Sequence, residues 1–454
     1  MAKTKLFDGK ATRAQQLIVG AWYANLIVVL VIWATTSASL ITSGGAGGIA
    51  LAFGRLFGLL AATFALTQFL LMGRILWIER PFGLDHLASY HRFNGYAAII
   101  AILIHAPLVV LGYALSSHTN YFAQYSEVIL HYQDTWKALI AEILFVTVVV
   151  SSIYIVRRKL KFESWYFVHL IVYAAIVLAF AHQLAIGGSF LDHPLARLYW
   201  LAIYVFVGVS VLFWRFTLPS LNMIRFNFRI ARVERETATT TSVYISGKKL
   251  KKWSTKPGQF VLVRFLEGKF ALQEHPFSMS AVPYDDEFRL TIRNSGDYTS
   301  TISTLKPGSR VLVSGPFGRF TSEIAVTKKR LFIAGGVGIT PLRTLITEAL
   351  AAKQDCVLLY GNRSTDDVVF QKELTRLDKV GLKIHFVYSD PPKGFSGETG
   401  YIDGPLIERL VPDFVTRDIY LCGPPPMMDG VIAAMEATKL PHDQLHYERF
   451  SLHS

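Results

Sequence analysis

The sequence predicts a multi-domain protein: a six-helix transmembrane bundle, then a small antiparallel β-barrel, then an α/β Rossmann-like domain. Three observations carry that prediction. The first half holds six apolar stretches, at about 16–41, 52–73, 94–115, 137–156, 165–187 and 196–216, each long enough to cross a hydrocarbon layer of ~30 Å. From Arg225 onward the texture changes to short alternating strands and turn dipeptides. Further on, Gly335-Gly336-Val337-Gly338-Ile339-Thr340-Pro341 joins an apolar strand to an amphipathic helix, the punctuation of a βαβ unit. These transitions place the domains at 1–218, 219–323 and 324–454, with the first boundary inside Arg215–Arg229 around Pro219.

The spans are justified by composition and oriented by charge. Of 454 residues, 52% are hydrophobic, too many for an ordinary cytosolic protein. The net charge of +13 is distributed unevenly. Lys3, Lys5, Lys10 and Arg13 precede the first span, Arg74, Arg80 and Arg92 surround the second loop, and Arg157, Arg158, Lys159 and Lys161 fill the fourth. The loops Thr42–Ala50 and Ser116–Trp136 have no Lys or Arg. The positive-inside rule therefore puts the N-terminus, the even loops and the C-terminal half in the cytoplasm of a multi-pass cell-membrane protein. There is no nucleic-acid motif, and no obligate protein partner is expected beyond the lipid bilayer. The first segment reads as an anchor rather than a cleaved signal peptide. With only Cys356 and Cys422, the chain cannot build a four-cysteine iron–sulfur cluster.

Within the spans, four histidines form two pairs. His91 and His105 are fourteen positions apart, His169 and His182 thirteen, and the stretches Ala97–Val110 and Trp165–Gly188 contain no Lys, Arg, Asp or Glu. A lone buried histidine is ordinarily a hydrogen-bonded core residue, but two pairs at nearly matched depth are not explained that way. An ionisable side chain within a span is a functional candidate. At 1.5 Å per residue each pair separates its members by about 20 Å along the membrane normal. Two neighbouring helices can thus clamp two stacked haems by bis-histidine ligation, His91 with His169 and His105 with His182. Fourteen steps of 100° nearly restore the azimuth, whereas thirteen leave His182 about 140° from His169, so the second helix has to tighten, kink, or present its two rings to different sides. Arg55 opens the second span at the outer end, facing a haem propionate or an anionic ligand, or snorkelling to the interface.

The barrel expectation rests on strand-like runs at Phe228–Val233, Thr241–Ile245, Gln259–Phe265, Phe288–Arg293 and Arg310–Ser314, separated by Pro-Gly turns. The run His275-Pro276-Phe277-Ser278-Met279-Ser280 sets an aromatic beside hydroxyls, which suits stacking and hydrogen bonding to an isoalloxazine. Gly296-Asp297-Tyr298-Thr299-Ser300 reads as the start of a helix Thr299–Leu305 that can receive a pyrophosphate. In the last third, strands Arg330–Ala334, Cys356–Tyr360 and Ile419–Leu421 end at the glycine-rich turn, at Gly361-Asn362-Arg363 and at Cys422-Gly423-Pro424. These ends share the carboxyl edge of a parallel sheet, where a dinucleotide binds. Arg363 is placed either to meet an adenosine phosphate or to sit on the surface.

These motifs resemble a known pair of modules. HPFSMS, GDYTS, GPFG, AGGVGITP, YGNR, LCGPP and the terminal YERF are similar to the ferredoxin-NADP reductase superfamily, and the paired histidines with Arg55 resemble the ferric reductase transmembrane domain. In this order the chain resembles the NADPH oxidase and ferric reductase family of transmembrane flavocytochromes, where GDYTS stands in place of a common Gly-Asp-Trp-Thr segment. The resemblance implies FAD, two b-type haems and NADPH or NADH as cofactors. It makes His91, His105, His169 and His182 the haem ligands. His275, Pro276, Phe277 and Ser278, with Ser280 and Arg293, would hold the flavin, and Gly296, Tyr298, Thr299 and Ser300 its pyrophosphate. Gly335, Gly336, Gly338, Thr340 and Pro341, with Arg363, Gly423 and Pro424, would hold the nicotinamide dinucleotide. Cys422 and Glu448 would lie near the nicotinamide, and Phe450 would stack on the flavin although four residues follow it. Electrons would pass from cytoplasmic NAD(P)H through flavin and haems to oxygen beyond the membrane, giving superoxide, with Arg55 assisting. A ferric chelate is the alternative acceptor, and a membrane electron-transfer subunit serving another redox protein is the second alternative.

Overall fold

The computed structural model describes residues 12–153, 162–188, 193–438 and 440–449. Lys3, Lys5, Lys10, Arg157, Arg158, Lys159, Lys161 and Phe450 lie outside the described residues. The chain forms two compact units, Arg13–Ile78 with His86–Phe213, and Glu79–Asp85 with the residues from Trp214 onward.

The first unit is helical. Its elements are α1 (Arg13–Ser43), α2 (Gly45–Met72), most of α4 (Leu84–Ser116), α5 (Tyr121–His131), α6 (Thr135–Ser152), α7 (Phe162–Leu170), α8 (Val172–Ile186) and α9 (Pro194–Val211). The short helix α3 (Leu76–Phe82) connects α2 to α4. Six helices are long and apolar enough to cross a membrane, counting Ser164–Ala185 and Pro194–Phe226 as one span each. They coincide with the six apolar stretches but extend past several ends. The expected loop Thr42–Ala50 shrinks to a break at Gly44, because Gly45 adopts φ +56° and the glycine-rich run beyond it stays helical.

The second span is the most enclosed: half of its apolar window is buried, against 6% for the first. Small residues explain this. A methyl group added at Gly54 would lie 2.9 Å from the Val109 nitrogen, and one at Gly112 would lie 2.7 Å from the Leu51 nitrogen. Gly47, Gly54 and Gly58 share one face of α2, and their lack of bulk lets α4 approach closely. The fifth span is broken at Ile171, whose N–H bonds Val168 O at 3.1 Å in the i→i−3 pattern of a tightened turn. A tightened turn of this kind is one of the alternatives that the His169–His182 spacing left open.

The second unit takes over inside the π-helical turn Leu212–Thr217 of the last span, at Trp214, and continues as α10 (Leu218–Phe226). Strands β1 (Arg229–Thr237), β2 (Thr240–Ser246), β3 (Phe260–Phe265), β4 (His275–Tyr284), β5 (Glu287–Arg293) and β6 (Val311–Phe317) form an antiparallel sheet in the order β1-β2-β5-β4-β3-β6. The expected barrel is not closed. Edge strands β1 and β6 meet only at the bridge Arg229–Arg310 and a few loop bonds such as Gly308 N to Ile230 O. The Pro307-Gly308 turn, with Gly308 at φ +87°, interrupts the seam where a ladder would have to run. Alternate residues such as Val243, Ile245, Phe288, Leu290, Val261 and Val263 bury a common core.

The remaining strands, β7 (Lys329–Gly335), β8 (Asp355–Asn362), β9 (Leu382–Tyr388), β10 (Glu398–Thr399), β11 (Asp418–Cys422) and β12 (Leu445–Tyr447), make a parallel sheet ordered β10-β9-β8-β7-β11-β12. Helix α11 (Ile339–Ala351) packs on Phe332 and Leu358. On the other face, α12 (Gly404–Leu410) and α13 (Pro425–Glu436) pack on Leu331, Ile333 and Leu359. Burial on both faces explains the continuous apolar runs of β7 and β8.

Candidate functional site

In the helical unit, the rings of His91 and His169 face one another with centroids 6.0 Å apart. Two imidazoles bound to one metal at about 2 Å per bond have ring centres about 6 Å apart, so this pair is spaced to share an ion. The Nδ1 of His91 is buried without a hydrogen-bond partner, the state of a nitrogen awaiting a ligand. His169 touches Ser152 Oγ at 3.3 Å and stacks near Trp165 at 5.1 Å. Deeper along α4, His105 Nδ1 bonds Gly54 O at 2.8 Å. A backbone carbonyl on one imidazole nitrogen fixes the ring and leaves the other nitrogen for a metal. Gly58 makes the room, since a methyl there would sit 2.7 Å from the His105 ring. His182 has a buried, unpartnered Nδ1 and lies within electrostatic range of His105.

Arg55 is placed differently from the sequence expectation. The helix begins at Gly45, so Arg55 lies ten residues inside α2 rather than opening it, about 15 Å along the axis. It follows the glycine that binds His105, and its guanidinium lies within about 3 Å of where a Gly188 methyl would stand. A cation this far inside a span is costly and is there for a purpose.

In the second unit, β4 presents His275, Pro276 and Phe277 along one edge. The His275 and Tyr298 rings stack at 3.8 Å, Phe277 lies 6.3 Å from His275, and Tyr298 meets Phe270 edge-on at 5.2 Å. The Tyr298 hydroxyl is buried and unpartnered, and burial pushes its pKa up. Ser278 is buried on the strand, and Ser280 lies fully beneath it, held by Thr291 Oγ1 at 2.7 Å and Arg289 Nε at 3.0 Å. The expected helix after Gly296 is a six-residue 3₁₀ turn, Thr299–Thr304. Ser295 N donates to Thr299 Oγ1, while the Ser300 hydroxyl donates to Asp297 O.

The glycine-rich turn and Cys422–Pro424 come together. A methyl on Gly335 would stand 2.6 Å from Pro424 Cδ, and one on Gly338 would collide with the Cys422 carbonyl. Gly336 takes φ +52°, and a methyl added there would stand 3.5 Å from Arg293 Nη1 of β5. Thr340 and Pro341 are buried at the helix start, where the Thr340 hydroxyl donates to Val337 O. Arg363 is exposed and lies 3.4 Å from Asp390. Burial, then the nearby Glu448, raises the Cys422 thiol well above its ordinary value, so it stays protonated. Glu448 is held by its N–H to Leu421 O, and its Oε2 is buried without a partner. Burial also raises its carboxyl strongly, with Asp85 and Glu79 adding to the effect.

The sequence reading missed Glu79. This residue of α3 is 1% exposed and accepts the Gly318 N–H at 2.8 Å, beside the GPFG turn. A methyl on Gly318 would lie 3.5 Å from Glu448 Oε1. A lone carboxylate beside Arg74 and Arg80 was the available signal. Also missed was the clamp Arg289–Glu373–Arg343, in which Glu373 meets Arg289 Nη1 at 2.6 Å and Arg343 Nε at 2.7 Å.

Comparison with known proteins agrees with this layout. A ferric reductase-like transmembrane component model matches residues 57–180, an FAD-binding domain model 225–321, and an oxidoreductase NAD-binding domain model 332–432. The glycine betaine monooxygenase reductase subunit of Pseudomonas aeruginosa is 31% identical over 206 residues, 43% of this chain and 56% of that protein. NADH-cytochrome b5 reductase 2 of Neurospora crassa is 31% identical over 157 residues, 33% of this chain and 45% of that protein. The chain thus spans about half the length of such relatives. Among solved structures, the flavohaemoprotein-like FAD/NAD-binding domain of the nitric oxide dioxygenase from Vibrio cholerae is 22% identical, with TM-score 0.43, covering 49% of this chain and 97% of that one. A ferric reductase-like membrane component followed by FAD-binding and NAD-binding domains is the architecture of the NADPH oxidase and ferric reductase flavocytochromes, and this chain carries it.

Proposed function

We propose that this membrane oxidoreductase moves electrons from NAD(P)H, through FAD and two b-type haems, to oxygen on the opposite side of the bilayer, giving superoxide. The observation that carries the reading is the His91–His169 pair, whose ring spacing and unpartnered His91 Nδ1 fit a metal between them, with His105 and His182 close to one another in the same unit. When bound, FAD accepts a hydride and releases single electrons, and haem iron carries single electrons across the bilayer. Every other part is done by the chain.

His91 with His169, and His105 with His182, hold the two haems. Gly54 O fixes the His105 ring and Gly58 leaves it space. His275, Phe277 and Tyr298 form the aromatic wall for the flavin ring, with Pro276 and Ser278 beside it. The turn from Gly296 to Ser300 offers donors to its phosphates. Gly335, Gly336 and Gly338 let backbone approach the nicotinamide dinucleotide, with Arg293 and Arg363 supplying positive charge. Cys422, as a neutral thiol, and Glu448 line the nicotinamide end without ionic competition, and Phe450 is assigned to cover the flavin. The basic N-terminal segment and even loops put the FAD and NAD(P) domains, 219–323 and 324–454, in the cytoplasm.

Arg55 supports oxygen as acceptor. A cation embedded in a span and adjacent in sequence to the carbonyl that holds His105 can stabilise charge developing on a small molecule such as oxygen. The names of the reductase-subunit relatives favour a second reading, delivery of electrons to another redox protein, but their likeness covers only 43% and 33% of this chain. The test supplies purified protein with NADPH or NADH and follows cytochrome c reduction with and without superoxide dismutase, alongside ferric chelate reduction. Dismutase-sensitive reduction is expected. Dismutase-insensitive reduction with faster ferric turnover replaces the oxidase by a ferric reductase.

A further inference from the structure

Four lysines in five positions, Lys248, Lys249, Lys251 and Lys252, stand on the β2–β3 connection, and all four are exposed. The backbone beneath them is rigid. Leu250 and Trp253 are sunk in the core of the antiparallel sheet, and Leu250–Lys252 forms a 3₁₀ turn whose first N–H is held by Asp286 Oδ1 at 2.9 Å. No ion pair to any of the four occurs among the described residues. The acidic side chains nearby are Asp285, Asp286 and Glu287 at the β4–β5 turn. Asp286 is engaged with Leu250 N and Glu287 with Arg232, so the patch keeps a net positive charge.

The knuckle is tied to the end of the last span: Lys248 N–H donates to Phe226 O at 2.6 Å. That apolar helical segment, Pro194–Phe226, has 33 residues and is about 50 Å long. A bilayer measures ~30 Å of hydrocarbon and about 40–45 Å with its headgroups. By length alone the segment is sufficient to run from the hydrocarbon into the headgroup layer. Apolar side chains stay uncovered to the same point, with Leu221 50% and Ile224 75% exposed, while Arg225 next to Ile224 is exposed as well. Water would leave such residues bare, whereas a lipid boundary covers the apolar ones and meets the cations with phosphate.

We propose that Lys248, Lys249, Lys251 and Lys252, with Arg225, form a docking surface for anionic phospholipid headgroups of the leaflet on the reductase side. Each lysine near an anionic leaflet is worth roughly a fivefold preference over neutral lipid, and a rigid knuckle presents four together.

The test labels lysines of the full chain with an amine-acylating reagent in nanodiscs of phosphatidylcholine alone or with phosphatidylglycerol, and reads each site by mass spectrometry. Labelling of the four lysines should fall about fivefold or more with phosphatidylglycerol and recover in high salt, while exposed Lys353 and Lys379 stay unchanged. In a third arm, millimolar inorganic phosphate added to phosphatidylcholine discs should not protect. Equal labelling in both lipids overturns the proposal, and so does equal protection by free phosphate, which would make the patch a soluble-anion site.

Discussion

Replacing Glu79 by Gln should flatten the pH dependence of stability of the reductase unit. The Glu79 carboxyl is 1% exposed, and burial raises its pKa from 4.5 to about 7, against the lowering bond from Gly318 and with a further upward push from Asp85. Between those two values the folded chain keeps a proton that the unfolded chain has released. Stability therefore falls as pH rises through this window and is level above it. A window of about 2.5 pH units at 1.36 kcal/mol per unit gives about 3 kcal/mol. At 2–4 °C per kcal/mol for a domain of this size, that is roughly 6–12 °C in Tm. Gln keeps an oxygen for Gly318 N–H and cannot ionise. The assay is thermal release of flavin fluorescence from the full chain between pH 5 and 8. Glu448 contributes a slope of the same sign in both proteins, reduced in the variant because Glu79 no longer adds to its upward shift, and the difference between the two curves is the quantity read. The variant should match the parent near pH 5 and exceed it by about 3 kcal/mol above pH 7. Parallel curves would refute a buried, protonated Glu79.

Other outcomes are expected from the same contacts. Ala at His105 or His182 should remove one of the two haems and leave FAD content unchanged, as read by pyridine haemochrome and flavin absorbance. Substituting Glu373 by Ala leaves the 4%-exposed Arg289 without its bidentate partner. It should cost about 2–3 kcal/mol, below the range for a fully buried pair because Arg289 keeps Ser280 and Tyr244, visible as a Tm drop of roughly 4–12 °C. Arg55 to Ala should slow oxygen reduction roughly tenfold or more, while the rate of flavin reduction by NAD(P)H in stopped flow stays the same.

The elements were legible wherever a local period governs them. Six apolar runs gave six helices, and the Pro-Gly turns bounded β3 and β6 within a few residues. The parallel sheet was signalled by Gly335–Pro341 after an apolar strand. What was not legible depends on partners distant in the chain. Arg55 was read as a helix opener because Gly44–Gly48 looks like a turn, yet those glycines pack helix on helix and carry α2 outward past it. The barrel seam failed to close because Pro307-Gly308 serves a turn and not a ladder. Glu79 and Gly318 are 239 positions apart, and no spacing rule joins them. The azimuth mismatch between His169 and His182 allowed a tightened turn, a kink or rings on different sides, and only the backbone showed the tightened turn at Ile171.

The measurement that tests the central claim most directly is anaerobic titration of the purified full chain with NAD(P)H, followed by absorbance. The account predicts two low-spin haems per FAD, both reduced by the coenzyme to the level that dithionite reaches. Folded, flavin-loaded protein without haem, or haem that dithionite reduces and NAD(P)H does not, would contradict it.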